Sequence, residues 1–433
     1  MNFLFNKILY IIIYKMALVI SELFDYKNKP KQHFSFCKGF LFADSLSKII
    51  KTFYVTTGIS EKLSNIDLIN IDEINNEFLD DIKFLIFIRE GNLSEILERN
   101  INIKNLMFNK KRKQKICNKG DTIKWVFCKE TNQNFIEKYN INFIDFVTET
   151  FDIICCQTQE YKKFILKRIK KKHNKYYEIF KKILFLSRMG IPNKNPLDDT
   201  IINPYDINHN YCKEKCTELK NENALHPLVK IPKEQYNKKK FNLLFMGRIK
   251  TDGGKISLLM NDIMKKLGDD YELHIFPGRF VLPNNPNVIL SSKNFSSLST
   301  LQNSVFQDST NIIIHTPYDD TTKTKYLQNI DIAIDFSSSR PINTKSMNGH
   351  AKLLEYCYYG LKVVAERNIN NSHLVTSGQN GILLDGIGTV DDYVKAIKIM
   401  SNKTIDRTYC IESTIKSSNW DSISKELYDA LAK

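Results

Sequence analysis

Short apolar runs alternate with amphipathic helical patterns along almost the whole 433-residue chain, and this alternation restricts the fold more than any other feature. A buried strand followed by a helix predicts a parallel βαβ unit, because parallel strands need a crossover connection. In the first half the predicted strands are 16–21, 53–58, 66–71, 82–88, 123–128, 151–157 and 183–189, and the predicted helices are 39–51, 92–100 and 158–172. In the second half the predicted strands are 241–247, 271–278, 287–292, 311–316, 331–337, 361–366 and 380–385, and the predicted helices are 254–267, 322–330, 349–360, 390–400 and 420–433.

Residues 193–240 interrupt the alternation with a stretch rich in Asn, Lys, Pro and Glu, whose end is typical of an interdomain linker. We therefore predict an α/β protein made of two Rossmann-like, doubly wound domains that face a cleft. The predicted divisions are a possible N-terminal extension (1–15), an N-terminal Rossmann-like domain (16–235), a C-terminal Rossmann-like domain (241–405) and a C-terminal helical segment (406–433). Ligands of open parallel sheets bind beyond the carboxyl ends of the strands, so sites are expected in the strand-to-helix loops.

The net charge of +15 is compatible with nucleic acid, an anionic membrane surface or anionic small substrates, although heavy use of Lys, Asn and Ile also suggests compositional bias. Basic runs at 109–115 and 167–175 are first interpreted as solvated faces, and second as contacts to an anionic membrane or a lipid-phosphate acceptor. Nucleic-acid binding is a distant third, and we expect no nucleic-acid partner, since neither aromatic interleaving nor a nucleic-acid fold signature accompanies the runs.

The nine cysteines form no pair of CxxC motifs, which favours reduced thiols in the cytoplasm over a zinc site. No apolar run approaches the roughly 20 residues that a membrane span needs. We therefore expect a cytoplasmic protein, and peripheral contact with a membrane stays open.

The stretch MGRIKTDGGKISLL (246–259) combines a predicted strand end, a glycine-containing loop and a helix start. Glycine permits close backbone approach, and a helix N-terminus attracts phosphate. Arg248 and Lys255 add two cations there. On its own, the stretch is more typical of a flexible turn with solvated basic residues.

The stretch GHAKLLEYCYYGLKVVAE (349–366) predicts a helix followed by a strand. Lys352 and Glu355 are three residues apart and share one helix face. The simplest interpretation is an i,i+3 ion pair on a solvated face. The alternative is a ligand site, in which the helix N-terminus takes a diphosphate and Glu355, about 9 Å further along the axis, accepts ribose hydroxyls.

Several segments resemble glycosyltransferase family 4, whose members have the two-domain GT-B fold. AKLLEYCYYGLKVVAE resembles the family's K-L-x-E-Y-x-x-x-G-x-P-V-V-A segment, and LLFMGRI resembles its first C-terminal strand with a phosphate-binding arginine. Residues 317–339, SGQNGILLD (377–385) and NWDSISKELYDAL (419–431) resemble the family's later blocks in the expected order. The resemblance covers nearly all of residues 241–433. It implies that residues 16–235 form the acceptor domain, that residues 241–405 form the nucleotide-sugar donor domain, and that residues 406–433 form a crossover helix segment.

The resemblance implies transfer of a sugar from a nucleotide-diphosphate-sugar donor to a glycan, lipid or protein acceptor, with retention of configuration and with no metal or other cofactor. It gives catalytic roles to Arg248 and Lys255 on the diphosphate and to Glu355 on the ribose, and it places Thr316 and Tyr318 beside the base. The full predicted donor-binding set is Gly247, Arg248, Lys255, Thr316, Tyr318, Gly349, His350, Lys352, Leu353 and Glu355. In the N-terminal domain, Gly39 is predicted to lie in the acceptor loop.

The chain also departs from the family pattern. Met347 stands where the family often has a first glutamate, and Lys362 replaces the usual proline. These departures keep two alternatives open: a degenerate GT-B protein that acts as a nucleotide-sugar binding or scaffold module, and another GT-B enzyme such as a nucleotide-sugar epimerase.

Overall fold

The computed structural model describes residues 16–21, 34–62, 65–88, 93–120, 125–193, 195–196, 240–249, 255–282, 285–291, 306, 309–315, 327–336, 351–367, 373–376 and 378–433. Within these residues the chain forms two largely parallel sheets, each with helices on both faces. The predicted α/β class with two doubly wound domains is confirmed. None of the helices in the described ranges is long and apolar enough to cross a lipid bilayer.

The N-terminal domain is built on a sheet with the strand order β3-β4-β2-β1-β5-β6-β7-β8 among the described residues. Its strands are β1 (Met16–Ile20), β2 (Lys51–Thr56), β3 (Glu61–Lys62), β4 (Asp67–Asn70), β5 (Ile82–Phe87), β6 (Lys115–Asn118), β7 (Ile153–Cys156) and β8 (Leu184–Leu186). Its helices are α1 (Phe34–Ser47), α2 (Asn76–Asp81), α3 (Leu93–Arg99), α4 (Ile101–Phe108), α5 (Lys129–Tyr139), α6 (Phe143–Thr150), α7 (Gln159–Lys172) and α8 (Tyr177–Ile183). Only β3 pairs antiparallel with its neighbour in this sheet as described.

Alternation along β1 shows why this sheet is covered on both sides. Leu18 and Ile20 enter the core beneath the helices from α3 to α8, whereas Ala17 and Val19 enter the core on the opposite face. Successive side chains of a strand point to opposite faces, so a strand that is apolar throughout needs a helical layer on each side.

The C-terminal domain is built on a second sheet with the order β11-β10-β9-β13-β14-β15, and β12 pairs with β10. Its strands are β9 (Phe241–Ile249), β10 (Tyr271–Leu282), β11 (Asn285–Ser291), β12 (Ile312–Ile314), β13 (Ile332–Asp335), β14 (Lys362–Glu366) and β15 (Gly381–Leu384). Its helices are α9 (Lys255–Leu267), α10 (Ala351–Tyr358), α11 (Val390–Ser401) and α12 (Arg407–Ser418), and the chain ends in α13 (Trp420–Ala432).

The two faces of this second sheet carry different helices. Leu243 and Phe245 pack with α9 and α11, whereas Leu244 and Met246 pack with α10. The helix α10 therefore lies on one face of the sheet, directly behind β9.

The chain crosses between the domains at two adjacent places. Ile191 forms a parallel bridge with Asn419, and the Trp420 N–H donates to the Ile191 carbonyl at 2.9 Å. The last helix, α13, then packs on α1 of the N-terminal domain, and its Leu427 and Trp420 complete the core on that face. Both crossings are thus held together by main-chain hydrogen bonds.

One strand prediction in the N-terminal half is wrong, and several helices were not predicted. The strand predicted at 123–128 is instead β6 at Lys115–Asn118, and residues 125–128 form a turn that leads into α5. Ile116 and Cys117 are the only apolar residues of β6, and the basic residues that precede them made this short strand hard to recognise in the sequence. The helices α2, α4, α5, α6 and α8 were not predicted.

Candidate functional site

The ends of β9 and β13 meet the helix α10 at the carboxyl edge of the second sheet. The Met246 N–H donates to the Tyr356 hydroxyl oxygen at 2.8 Å, which fastens α10 to β9. Tyr356 directly follows Glu355, and Met246 precedes Arg248 by two residues. The structure therefore brings together the two chain segments on which the sequence predicts ribose and diphosphate contacts.

Lys352 is anchored at this edge by two neighbouring strands. Its ammonium forms an ion pair with the carboxylate of Asp335, the last residue of β13, which is completely buried. The same ammonium lies 4.4 Å from the centre of the Phe245 ring, on β9. The Lys352 side chain keeps 23% of its surface exposed. The sheet therefore holds Lys352 in place. An i,i+3 ion pair with Glu355 on a solvated helix face, the simplest interpretation of the sequence, does not describe this lysine.

Glu355 lies one helical turn after Lys352 and is only 7% exposed. A carboxylate that is nearly buried must be matched by donors or cations, because desolvating a charge is costly. The low exposure of Glu355 shows that its carboxylate does not lie on a solvated helix face.

The predicted phosphate segment is only partly described. Gly247 pairs with Pro277 in the sheet, and β9 continues through Arg248 to Ile249, two residues beyond the predicted strand end at residue 247. Lys255 is the first residue of α9, where the helix N-terminus was expected. The contacts of the Arg248 and Lys255 side chains lie outside the described part of the structure.

The remaining predicted donor residues fall into two groups. Leu353 is fully buried in the apolar core with Leu354, so its side chain packs against the sheet. Residues Thr316, Tyr318, Gly349 and His350, as well as Met347, lie outside the described residues. Their roles stay predictions.

The placement of Gly39 in a loop is wrong. Gly39 lies within α1, and a Cβ atom on it would stand 2.6 Å from the Ser21 Cβ atom, at the end of β1. The glycine is needed because the helix crosses so close to the strand end. Glycine suits this close contact between helix α1 and the end of strand β1, because it has no Cβ atom.

A second layer of polar groups supports the end of β13. The Tyr393 hydroxyl donates to the Asp335 carbonyl oxygen at 3.3 Å, and the Gly388 N–H donates to Glu366 Oε1 at 3.0 Å. Burial, followed by the nearby carboxylates of Glu366 and Asp335, holds the pKa of Tyr393 well above its usual value. The tyrosine is therefore a neutral hydrogen-bond donor that fixes α11 to the strand end.

A buried histidine pair lies at the other side of β9. A hydrogen bond of 2.8 Å joins His274 Nδ1 and His315 Nε2, and the His315 ring stacks on Phe276 with 4.3 Å between ring centres. Burial, with a smaller effect of His274, lowers the pKa of His315 to about 3. His315 is thus neutral at physiological pH, directly before the segment predicted to border the base.

Asp335 and Tyr356 are two residues of this site that the sequence analysis did not single out. Asp335 could have been noticed, because an acidic residue inside the apolar run DIAIDFS needs a partner. Tyr356 gave no separate signal, since a buried tyrosine on a helix is ordinary core. Among the described residues, no group of three or more His, Cys, Asp or Glu side chains is arranged to hold a metal ion.

Neither the family models nor the curated proteins contain a match to this chain. Solved structures do match over almost its full length. HepE from Anabaena in complex with UDP and glucose has a TM-score of 0.55 at 10% identity, covering 97% of this chain and 100% of that one. A glycosyltransferase from Rickettsia africae has a TM-score of 0.54 at 10% identity, covering 96% and 98%. Sucrose-phosphate synthase from Thermosynechococcus elongatus has a TM-score of 0.57 at 9% identity, covering 96% and 98%.

These likenesses define the class of fold. The chain has the GT-B fold of two Rossmann-like domains, as the resemblance in the sequence implied. At 9–10% identity the likeness concerns the fold, and the activity has to be argued from the site.

Proposed function

We propose that this protein is a glycosyltransferase that moves a sugar from a nucleotide-diphosphate-sugar donor to an acceptor, with retention of configuration and without a metal ion. The observation that carries the proposal is the 2.8 Å hydrogen bond from the Met246 N–H to the Tyr356 hydroxyl. It joins the strand that bears Arg248 to the helix turn that bears Lys352 and Glu355. HepE, which shares the fold, was crystallised with UDP and glucose.

During such a transfer a negative charge develops on the departing diphosphate, and the enzyme has to stabilise that charge. Fixed cations stabilise that charge best when they need no reorganisation during the reaction. Lys352 meets this condition, since Asp335 and Phe245 hold its ammonium in place and part of its side chain is exposed. Arg248 and Lys255 supply two further cations from the end of β9 and the start of α9.

Glu355 is proposed to accept the ribose hydroxyls of the donor. A carboxylate offers two acceptor oxygens, and a ribose presents two adjacent donors. The low exposure of Glu355 suits this role, because a hydrogen bond to a charged group is stronger where water is excluded.

A nucleotide screen tests the donor site directly. Thermal unfolding is measured with UDP, GDP and ADP, and one of these is expected to stabilise the protein, by about 2.7 kcal/mol at a concentration of 100 times Kd. Glu355→Gln is expected to lose most of this stabilisation. Glu412→Gln, a change at an exposed position of α12, is the matched control and should keep it. Equal stabilisation of both variants would remove the ribose role.

A turnover assay distinguishes between an enzyme and a binding module. The nucleotide-sugar that matches the stabilising nucleotide should be slowly hydrolysed by the wild-type protein and transferred when an acceptor is supplied. Stabilisation without any turnover across a panel of sugars and acceptors would favour the nucleotide-sugar binding module, which the Met347 departure keeps open. Interconversion of the free sugar's stereochemistry would favour an epimerase.

A further inference from the structure

Two buried cysteines face each other in the sheet of the N-terminal domain, apart from the donor site of the other domain. Cys117 on β6 and Cys155 on β7 are 0% and 3% exposed, and their Sγ atoms lie 3.8 Å apart. Both side chains enter the core that α1 and α13 cover. In the parallel register Cys117 pairs with Ile153, so Cys155 lies two residues further along β7 and the cysteines are diagonal neighbours.

A diagonal pair of this kind does not suit a disulfide. Neighbouring strands are about 4.8 Å apart and two residues span about 6.6 Å, which puts the two Cα atoms on the order of 8 Å apart. A disulfide bridges at most about 7 Å between Cα atoms unless the backbone moves. A single ion bonded to both sulfurs needs a larger separation than a disulfide. Metal–thiolate bonds of about 2.3 Å place two sulfurs up to about 4.6 Å apart, which a modest rotation of the side chains supplies.

A buried ammonium belongs to the same core. Lys119 follows Cys117 by two residues, is 8% exposed, and lies 5.6 Å from the ring centre of Phe42. Its ammonium donates to the Ser187 hydroxyl oxygen. Burial lowers the pKa of Lys119, and Cys155 and then Cys117 are the main groups that oppose this shift. The two sulfurs are therefore the principal counter-charges of this ammonium.

The two thiols differ in the charge that they carry. Burial raises the pKa of Cys155, but the hydrogen bond with Cys117 and the Lys119 ammonium outweigh this effect, so the net shift is downward. Burial, followed by the hydrogen bond with Cys155, holds the pKa of Cys117 well above its usual value. In the free pair Cys155 therefore carries the negative charge and Cys117 holds the shared proton. A metal ion that displaces this proton makes both sulfurs thiolates.

The charge balance determines the class of metal ion. Two thiolates carry two negative charges and the Lys119 ammonium carries one positive charge, so a monovalent cation makes the buried group neutral. A divalent ion would leave an uncompensated positive charge, which is costly in an apolar core. Thiolates are soft ligands that prefer Cu(I), an ion that accepts two ligands in a nearly linear arrangement. We propose that Cys117 and Cys155 form a two-coordinate site for Cu(I), with Lys119 as its counter-charge.

Titration of the full, reduced chain with Cu(I) tests the site. The chelator bicinchoninate is present as a competitor, so that single thiols do not hold the metal, and Cys212→Ser/Cys216→Ser removes a separate CxxxC pair from the parent protein. We expect one Cu(I) per chain and the release of about one proton per ion bound. The X-ray absorption spectrum should show two sulfur ligands and no nitrogen or oxygen. Absence of Cu(I) binding, or a spectrum with three or more ligands, would overturn the proposal.

Serine variants test whether the metal is bound by this pair. Cys117→Ser and Cys155→Ser should each lose most of the Cu(I) binding. Cys357→Ser is the matched control, because Cys357 is also buried, and burial, followed by the neighbouring Cys410, raises its pKa to about 12. This control should bind Cu(I) as the parent does, and a loss equal to that of Cys117→Ser would overturn the assignment. The absorption spectrum of the parent protein decides the ligand set even if a serine variant is unstable.

Replacement of Lys119 tests the charge balance. Lys119→Met leaves the Cu(I) bis-thiolate with an uncompensated negative charge, and we expect about 10- to 100-fold weaker Cu(I) binding, as for other changes around metal ligands. A divalent ion such as Cd(II) forms a neutral group with two thiolates in this variant, so its binding should strengthen. If Lys119 only supports the fold, the substitution weakens the binding of both ions alike, and that result would overturn its role as the counter-charge.

Discussion

Gly190 lies directly against the indole of Trp420: a Cβ atom on Gly190 would stand 2.7 Å from Cε2 of that ring. The two residues belong to the two places where the chain passes between the domains. Lys119 completes the arrangement, because its buried ammonium donates to the Arg188 carbonyl at 3.1 Å and lies 5.7 Å from the Trp420 ring centre. The connection between the domains is therefore a packed unit and not two independent linkers.

Replacement of Gly190 should disturb this unit. Gly190→Ala forces the Trp420 ring to move, and overpacking of this kind costs about 1–3 kcal/mol of the free energy of unfolding. Urea unfolding of the variant measures the cost. In a Trp420→Leu background the added methyl group has more room, so the same substitution should cost clearly less. An equal cost in both backgrounds would contradict the predicted clash.

The ion pair between Asp335 and Lys352 should show strong energetic coupling. Lys352→Met leaves the Asp335 carboxylate buried without its cation, which costs about 3 kcal/mol of stability. Lys352→Met/Asp335→Asn removes both charges and should recover part of that loss. Denaturant unfolding of the two single variants and the double variant gives the coupling energy. A coupling near zero would mean that the pair contributes little to the strand end.

Part of this molecule could be predicted from its sequence, for physical reasons that differ between elements. The apolar runs of β9, β13 and β14 and the amphipathic pattern of α11 are local signals, so these elements were found close to their true positions. The strand β6 has four residues and begins with an exposed lysine, so nothing local distinguished it from the basic run around it.

The candidate site, too, could be predicted only in part from the sequence. The sequence indicates that Lys352 and Glu355 share a helix face, but the partner of Lys352 comes from β13, 17 residues earlier. A tertiary ion pair of this kind depends on the register of neighbouring strands, which one sequence does not specify. Local spacing could therefore suggest an i,i+3 pair or a ligand site, but it could not identify Asp335 as the partner of Lys352.

The stability of the protein should fall as the pH falls below about 6.5, because of His315. The pKa of His315 is about 3 in the folded protein, against about 6.5 in an unfolded chain. The unfolded state therefore binds more protons in this window, and stability is present above pH 6.5 and lost on acidification. One such group contributes up to about 1.4 kcal/mol per pH unit, or about 2 kcal/mol between pH 7 and pH 5.

The variant His315→Gln isolates this contribution. Urea unfolding at pH 7, 6 and 5 should give a steeper loss of stability for the wild type than for the variant, which cannot take up the proton. The glutamine can still form a hydrogen bond with His274, so the variant is expected to fold. Parallel pH profiles would show that His315 is not the group responsible.

The hydrogen bond between Tyr356 and Met246 should influence donor binding without any contact to the donor. Tyr356→Phe removes the acceptor of the Met246 N–H, which costs about 1 kcal/mol of stability and loosens α10 from β9. Because Glu355 lies on α10 and Arg248 on β9, we expect weaker stabilisation by the matching nucleotide in the same thermal assay. Tyr409→Phe, at an exposed position of α12, is the matched control and should change neither quantity. Loss of stability with unchanged nucleotide affinity would show that the hydrogen bond supports the core alone and that the relative position of α10 and β9 does not limit binding.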